Sequence, residues 1–240
     1  MRARLFHRGM AAALLLAFAQ ATAQEVTLSG RVKQVSADKK TLSPHARGVV
    51  VWLAPLDPKT PVKPFRASPL KLTQRNKSFE PHILVVPVGA VVQFPNHDPF
   101  FHNVFSLFEG KRFDLGLYEA GSSRNVSFDR PGISYIFCNI HAEMSAVVIA
   151  LETPYYSVSS VKGEIVLANV PVGRYAMHVW YETALPDTLK SLTREIDVTA
   201  EMSTLGILEI PKDGTTSAHK NKYGMDYEPP TPNSPGYDHP

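Results

Sequence analysis

Past residue 23, β-branched and aromatic runs bounded by Gly, Pro and Asn recur at short intervals, and apolar residues at helical spacing are scarce. The pattern predicts strands at Val26 to Val35, Gly48 to Leu53, Leu70 to Gln74, Ile83 to Val88, Ala90 to Phe94, Asn125 to Phe128, Gly132 to Phe137 and Ala146 to Leu151. Further strands are expected at Glu164 to Ala168, Gly173 to Tyr181, Arg194 to Val198 and Leu205 to Ile210. Many short strands separated by turn signals predict an all-β chain built from sandwiches.

The two ends depart from this pattern. Arg2, Arg4 and Arg8 precede an apolar run from Met10 to Phe18 and the small residues Ala21-Thr22-Ala23, the arrangement of a cleavable export signal over residues 1–23. That run is shorter than the ~20 apolar residues a membrane helix needs, and no later stretch reaches that length, so no membrane span is expected. The last stretch, 212–240, is Pro-rich and poor in aliphatic side chains, and reads as a disordered tail in which His219 and His239 are solvated. Residues 56–69 are Pro-rich as well, with Lys59 and Lys63 among the prolines, and read as a connector.

Composition sharpens this organisation. Of 240 residues 44% are hydrophobic and 20% charged, which excludes disorder throughout. The formal charge of +3 comes from the leader, which holds three Arg and no acid. The remaining 22 basic residues balance the 22 acidic ones, so nucleic-acid binding has no electrostatic basis. A bacterial style of leader makes the expected compartment the periplasm, where thiols are oxidised. The one cysteine, Cys138, has no internal partner there, so it is a liability, an intermolecular link or a metal-bound thiolate.

Its neighbours favour a metal. Cys138-Asn139-Ile140-His141-Ala142-Glu143-Met144 gathers thiolate, imidazole and thioether in one loop directly after a strand, C-x-x-H-x-x-M. Two His, one Cys and a weak axial Met form the blue-copper electron-transfer set. The second histidine must come from elsewhere: His102 is the candidate and His97 the rival, which lies beside Asp98 and Pro99 in what reads as an exposed turn. Singly, Cys138 would be a small buried hydrophobe, Met144 core filling and His102 a turn cap. Jointly they occur in an order and at strand ends that a copper site requires.

These residues resemble the cupredoxins, and within them the amicyanin-like and plastocyanin-like group. The resemblance covers roughly Leu70 to Leu151 and includes Pro87-Val88-Gly89, Phe94-Pro95-Asn96, His102-Asn103-Val104 and the cysteine loop. It implies a Greek-key β-sandwich over 70–152 holding one type 1 copper. His102, Cys138 and His141 would be the equatorial ligands and Met144 the axial one. Asn103 would tie the two ligand loops together, its backbone amide near the thiolate.

Two flanking segments, 24–55 and 153–211, carry Ser29-Gly30-Arg31-Val32, Gly48 to Leu53 and Pro171-Val172-Gly173-Arg174-Tyr175. They resemble parts of a carboxypeptidase-regulatory-like, or transthyretin-like, β-sandwich. Neither has strands enough to bury two faces alone. The copper block is therefore expected to be inserted into a second, split sandwich made from both.

A closed ligand set leaves no open position for substrate, so the expected function is one-electron transfer rather than catalysis, with His141 as the electron port. A transient protein redox partner would dock near His141, Pro99, Phe100, Phe101 and Ala142. Nine histidines without a His-x-His pair, and one cysteine, exclude a trinuclear copper cluster, a binuclear copper centre and haem attachment by Cys-x-x-Cys-His. Copper handling with the same ligands, and a structural β-protein with an inert Cys138, are the rival readings.

Overall fold

The computed structural model describes residues 24–36, 40–43, 45–65, 70–107, 110–214 and 219–227; the expected export signal and His239 lie outside them. Seventeen strands and one short helix are described, so the chain is all-β as its pattern predicts. Among the described residues no helix is long and apolar enough to cross a membrane.

The central block is a two-layered sandwich. One layer runs in the order β6 (Ile83–Pro87), β12 (Ser145–Leu151), β11 (Gly132–Cys138), β8 (His102–Ser106) and β9 (Phe113–Tyr118). Only the β12–β6 pair is parallel in this layer. The other layer pairs β7 (Ala90–Pro95) with β10 (Ser123–Phe128). Single bridges from Lys71 and Gln74 join it to the hairpin of β4 (Thr73–Arg75) and β5 (Ser78–Glu80). Gly89, with φ +87°, makes the tight turn from β6 to β7, a conformation that costs a residue with a Cβ atom. Leu72, Val92, Phe94, Val104, Phe128, Ile136 and Val148 fill the space between the layers.

The chain's two flanks form a second sandwich. β1 (Glu25–Val35) lies between β14 (Glu164–Pro171) and β17 (Thr204–Pro211), with β2 (Thr41–Ser43) beside it. The facing layer runs β13 (Tyr156–Val158), β3 (Val50–Pro55), β15 (Gly173–Trp180), β16 (Arg194–Val198). Val50 pairs with Trp180 and Pro55 with Tyr175, so strands from before and after the central block share one sheet. Tyr175 donates its hydroxyl to the Pro171 carbonyl at 2.7 Å, a buried tyrosine corner that pins the β14–β15 turn.

Burial on both faces explains the unbroken apolar run of β12. Ala146, Val148 and Ala150 point into the central core, while Val147, Ile149 and Leu151 meet Val50, Val85 and Trp180 in a separate cluster where the two sandwiches touch. β3 divides likewise: Val51 and Leu53, with Val49 just before the strand, enter the second core, and Val50 and Trp52 face the central block.

Besides β2, β5, β8 and β13, which the pattern does not predict, three features depart from it. β9 contains Gly116 and Asp114, which break the run of strand formers, yet it pairs with β8 from His102↔Tyr118 to Ser106↔Phe113. The helix α1 (Pro186–Leu192) has seven residues and buries none, so it leaves no apolar stripe in the sequence. Residues 219–227, expected to be solvated tail, pack instead on the central block, and His219 stacks on Phe137 with ring centroids 4.1 Å apart.

Candidate metal centre

Strand register brings the site together. Cys138 is the last residue of β11 and pairs with Val104 of β8, which places the thiol near the start of β8, where His102 stands. The loop after Cys138 is short because it closes on itself: Met144 N–H donates to the His141 carbonyl at 3.1 Å and Cys138 N–H to the Met144 carbonyl at 3.2 Å. His141 is thereby folded back beside the thiol.

Cys138 Sγ lies 3.6 Å from His102 Nδ1 and 3.7 Å from His141 Nδ1. The three ligand atoms sit within 4.8 Å of one another, and all three residues are buried. Metal bonds of about 2.0 Å to nitrogen and about 2.3 Å to sulfur, spread at 120° in one plane, put sulfur and nitrogen about 3.7 Å apart. The cluster has the dimensions of a trigonal metal site. Met144 is fully buried in the same core cluster as Cys138.

The tautomer of His102 is fixed by its other nitrogen. Nε2 lies 2.8 Å from Asp98 Oδ2 and burial pushes the His102 pKa down despite that carboxylate, so the neutral ring donates Nε2–H and turns the Nδ1 lone pair towards the thiol. Asp98 is buried too. Burial opposes its charge, but the His102 bond and the amides of Lys77 and Asn76 outweigh this and hold its pKa below the usual carboxylate range. His141 is pushed down to about 4 by burial and by the neighbouring His102. Burial raises the Cys138 pKa, against hydrogen bonds from the backbone amides of Asn103, Ile140 and His141. A single S–H proton cannot satisfy two facing imidazole nitrogens. A soft cation bound by a thiolate satisfies all three groups at once.

The loop that delivers His102 is held as firmly. Asn96 is buried, donates Nδ2–H to the Phe100 carbonyl at 2.8 Å and accepts from Asp98 N–H at 3.0 Å. The Phe100 ring lies against both imidazoles, 5.2 Å from His102 and 5.5 Å from His141.

His97 stands apart from the cluster, exposed and bonded to Arg75 at 3.0 Å. Asn103 has its amide near the thiolate, but its side chain does not cross to the cysteine loop. It donates to Asp114 Oδ1 on β9 at 2.7 Å, because β9 is its neighbour in the sheet. His141, the expected electron port, is only 8% exposed. Asp98, which the sequence sets in an exposed turn, is instead buried against His102. Its signal was the D-x-x-x-H spacing to His102.

No family model matches the chain, and no curated protein matches it. Solved structures resemble part of it. A purple cupredoxin from Nitrosopumilus maritimus is 21% identical over 35% of this chain and 100% of its own, with a TM-score of 0.32. A reduced tryptophan-to-tyrosine mutant of amicyanin is 19% identical over 34% of this chain and 80% of its own, with a TM-score of 0.32. The Cu-containing nitrite reductase NirK from Thermus scotoductus SA-01 is 25% identical over 41% of this chain but 27% of its own, with a TM-score of 0.34. Likenesses this distant leave the reading of the site to its own geometry.

Proposed function

We propose that the protein is an exported, periplasmic carrier of single electrons that holds one type 1 copper between His102, Cys138 and His141, with Met144 as the weak axial ligand. The observation that carries this reading is the pair of 3.6 and 3.7 Å separations between the thiol and the two imidazole Nδ1 atoms, in a buried site. Bound copper would supply a one-electron Cu(I)/Cu(II) couple.

The chain's contribution is to hold its ligands still. β8 fixes His102, β11 fixes Cys138, and the two backbone bonds of the cysteine loop fix His141. Ligands that do not move between oxidation states keep the cost of electron transfer low, and burial keeps water and small ligands out. We place the docking patch for a protein redox partner at Pro99, Phe101 and Ala142, which are exposed beside His141 and Phe100. Phe101 is 44% exposed, a large apolar side chain turned to solvent. The second sandwich is read as carboxypeptidase-regulatory-like, supported by its Pro171–Tyr175 corner.

The test is to add Cu(II) to the mature protein and record visible absorption beside Cys138→Ser. The reading expects an intense blue or purple band in the wild type that the substitution abolishes. A folded wild type that holds Cu(I) and forms no stable Cu(II) state would make copper handling the function. One whose stability does not change with copper would make it a structural β-protein.

A further inference from the structure

Residues 219–227 return to the metal centre from a tail that the sequence marks as solvated. Tyr227 donates its hydroxyl to the backbone carbonyl of Cys138 at 2.6 Å. Its Oη also lies 3.1 Å from His219 Nδ1, and the His219 ring covers Phe137, the residue before Cys138. Lys222 N–H donates to Asn139 Oδ1 at 2.9 Å, gripping the residue after Cys138. The Lys222 ammonium donates to Asp114 Oδ2 at 2.9 Å, and Asp114 Oδ1 accepts from the Asn103 side chain. The Asn103 backbone amide in turn lies near the Cys138 sulfur, where it opposes the rise in pKa that burial causes. The segment has its own internal shape: Asn221 Oδ1 accepts the amides of Tyr223 and Met225, and Asn221 N–H donates to the Met225 carbonyl.

We propose that this segment is a strap that positions the thiolate end of the copper site, with Tyr227 and Lys222 as its positioning residues. The inference rests on the copper reading above. The strap holds Phe137, Cys138 and Asn139 in succession, and it reaches Asn103 through Asp114. It therefore supplies the tie between the β8 loop and the cysteine loop that the Asn103 side chain does not make directly. The positive end of the Tyr227 O–H dipole points at the carbonyl of the ligand residue, which favours the less positively charged, reduced site. Loss of that bond lowers the reduction potential and loosens the loop that retains the ion.

The experiment uses the copper-loaded full chain and compares wild type, Tyr227→Phe and Lys222→Met. Tyr227→Phe keeps the ring and removes only the hydroxyl. The expected result is a retained copper–thiolate band in all three proteins, with copper release to a chelator about fivefold faster in each variant, the order of one net hydrogen-bond contribution. The Tyr227→Phe potential is also expected to fall below the wild-type value. A wild type with the band whose variants match it in release rate, or whose Tyr227→Phe form keeps the wild-type potential, overturns the strap and leaves the copper reading intact. A wild type without the band overturns both.

Discussion

The two sandwiches are built from similar strands but bury different things. Among the described residues ten polar or charged side chains are buried, and eight of them, from Gln74 to His141, belong to the central block. The second core is almost wholly apolar, from Leu28 to Ile210, with Tyr155 and Tyr175 bonded to backbone carbonyls. Buried polar groups contribute little to stability and fix geometry only when each has a partner. In the central block the bonded set of Asn96, Asp98 and His102 holds the ligand loop in one arrangement, although Gln74 Oε1, Asn103 Oδ1 and Ser106 Oγ are buried there without a partner, while the second sandwich and the contact between the two add apolar cohesion. Chemistry and cohesion are assigned to different layers of one chain.

The division predicts that substitutions in the two regions read out in different experiments. Trp180→Ala should have the largest effect. It empties the contact where Trp180 meets Val50, Val147 and Ile149, and such a loss costs about 3–5 kcal/mol. Denaturant unfolding should show the loss, and the copper spectrum of the still-folded protein should stay unchanged. Asp98→Asn should do the reverse. It removes the charge that holds His102 in its tautomer, and outer partners of metal-bound histidines are worth about 10–100-fold in metal affinity. Competition with a chelator measures this; unchanged affinity would mean that Asp98 only anchors the loop.

The sequence revealed most where physics acts locally. The Cys138–Met144 loop was legible because its three donor types are neighbours in the chain, and His102 because it stands where one strand gives way to the next. The split second sandwich was legible from the short strand count of each flank, and β3 pairs with β15 across more than a hundred residues. Long-range contacts without a compositional mark were not legible. Asp98 looked exposed because Asp beside Pro marks a turn, yet the turn folds inwards over His102. The strap was hidden because Pro-rich, aliphatic-poor composition says nothing about a few specific hydrogen bonds. β9 was hidden by Asp114 and Gly116, although Asp114 uses its carboxylate to hold Asn103 and Lys222.

A smaller effect belongs to the second sandwich. Tyr175→Phe leaves the buried Pro171 carbonyl without its donor and should cost about 1–3 kcal/mol, seen as a lower midpoint in denaturant with copper affinity untouched. The smallest effect lies at the junction. His82 bonds Glu182 at 2.7 Å and the Ser145 carbonyl at 3.0 Å, and the Glu182 hydrogen bond raises its pKa against partial burial and the nearby Arg47. A raised histidine pKa gives stability that is full below the unfolded value of about 6.5 and is lost as pH rises through the folded value. Unfolding midpoints across that window should fall slightly in the wild type and fall less in His82→Gln; equal slopes would remove His82 from the account.

The central claim is that one thiolate and two imidazoles share a single ion in the core of the central block. X-ray absorption at the copper edge of the loaded protein tests it most directly. The account predicts one short sulfur neighbour and two nitrogen neighbours, with the sulfur lost in Cys138→Ser. A copper shell of nitrogen and oxygen alone in the wild type would contradict it.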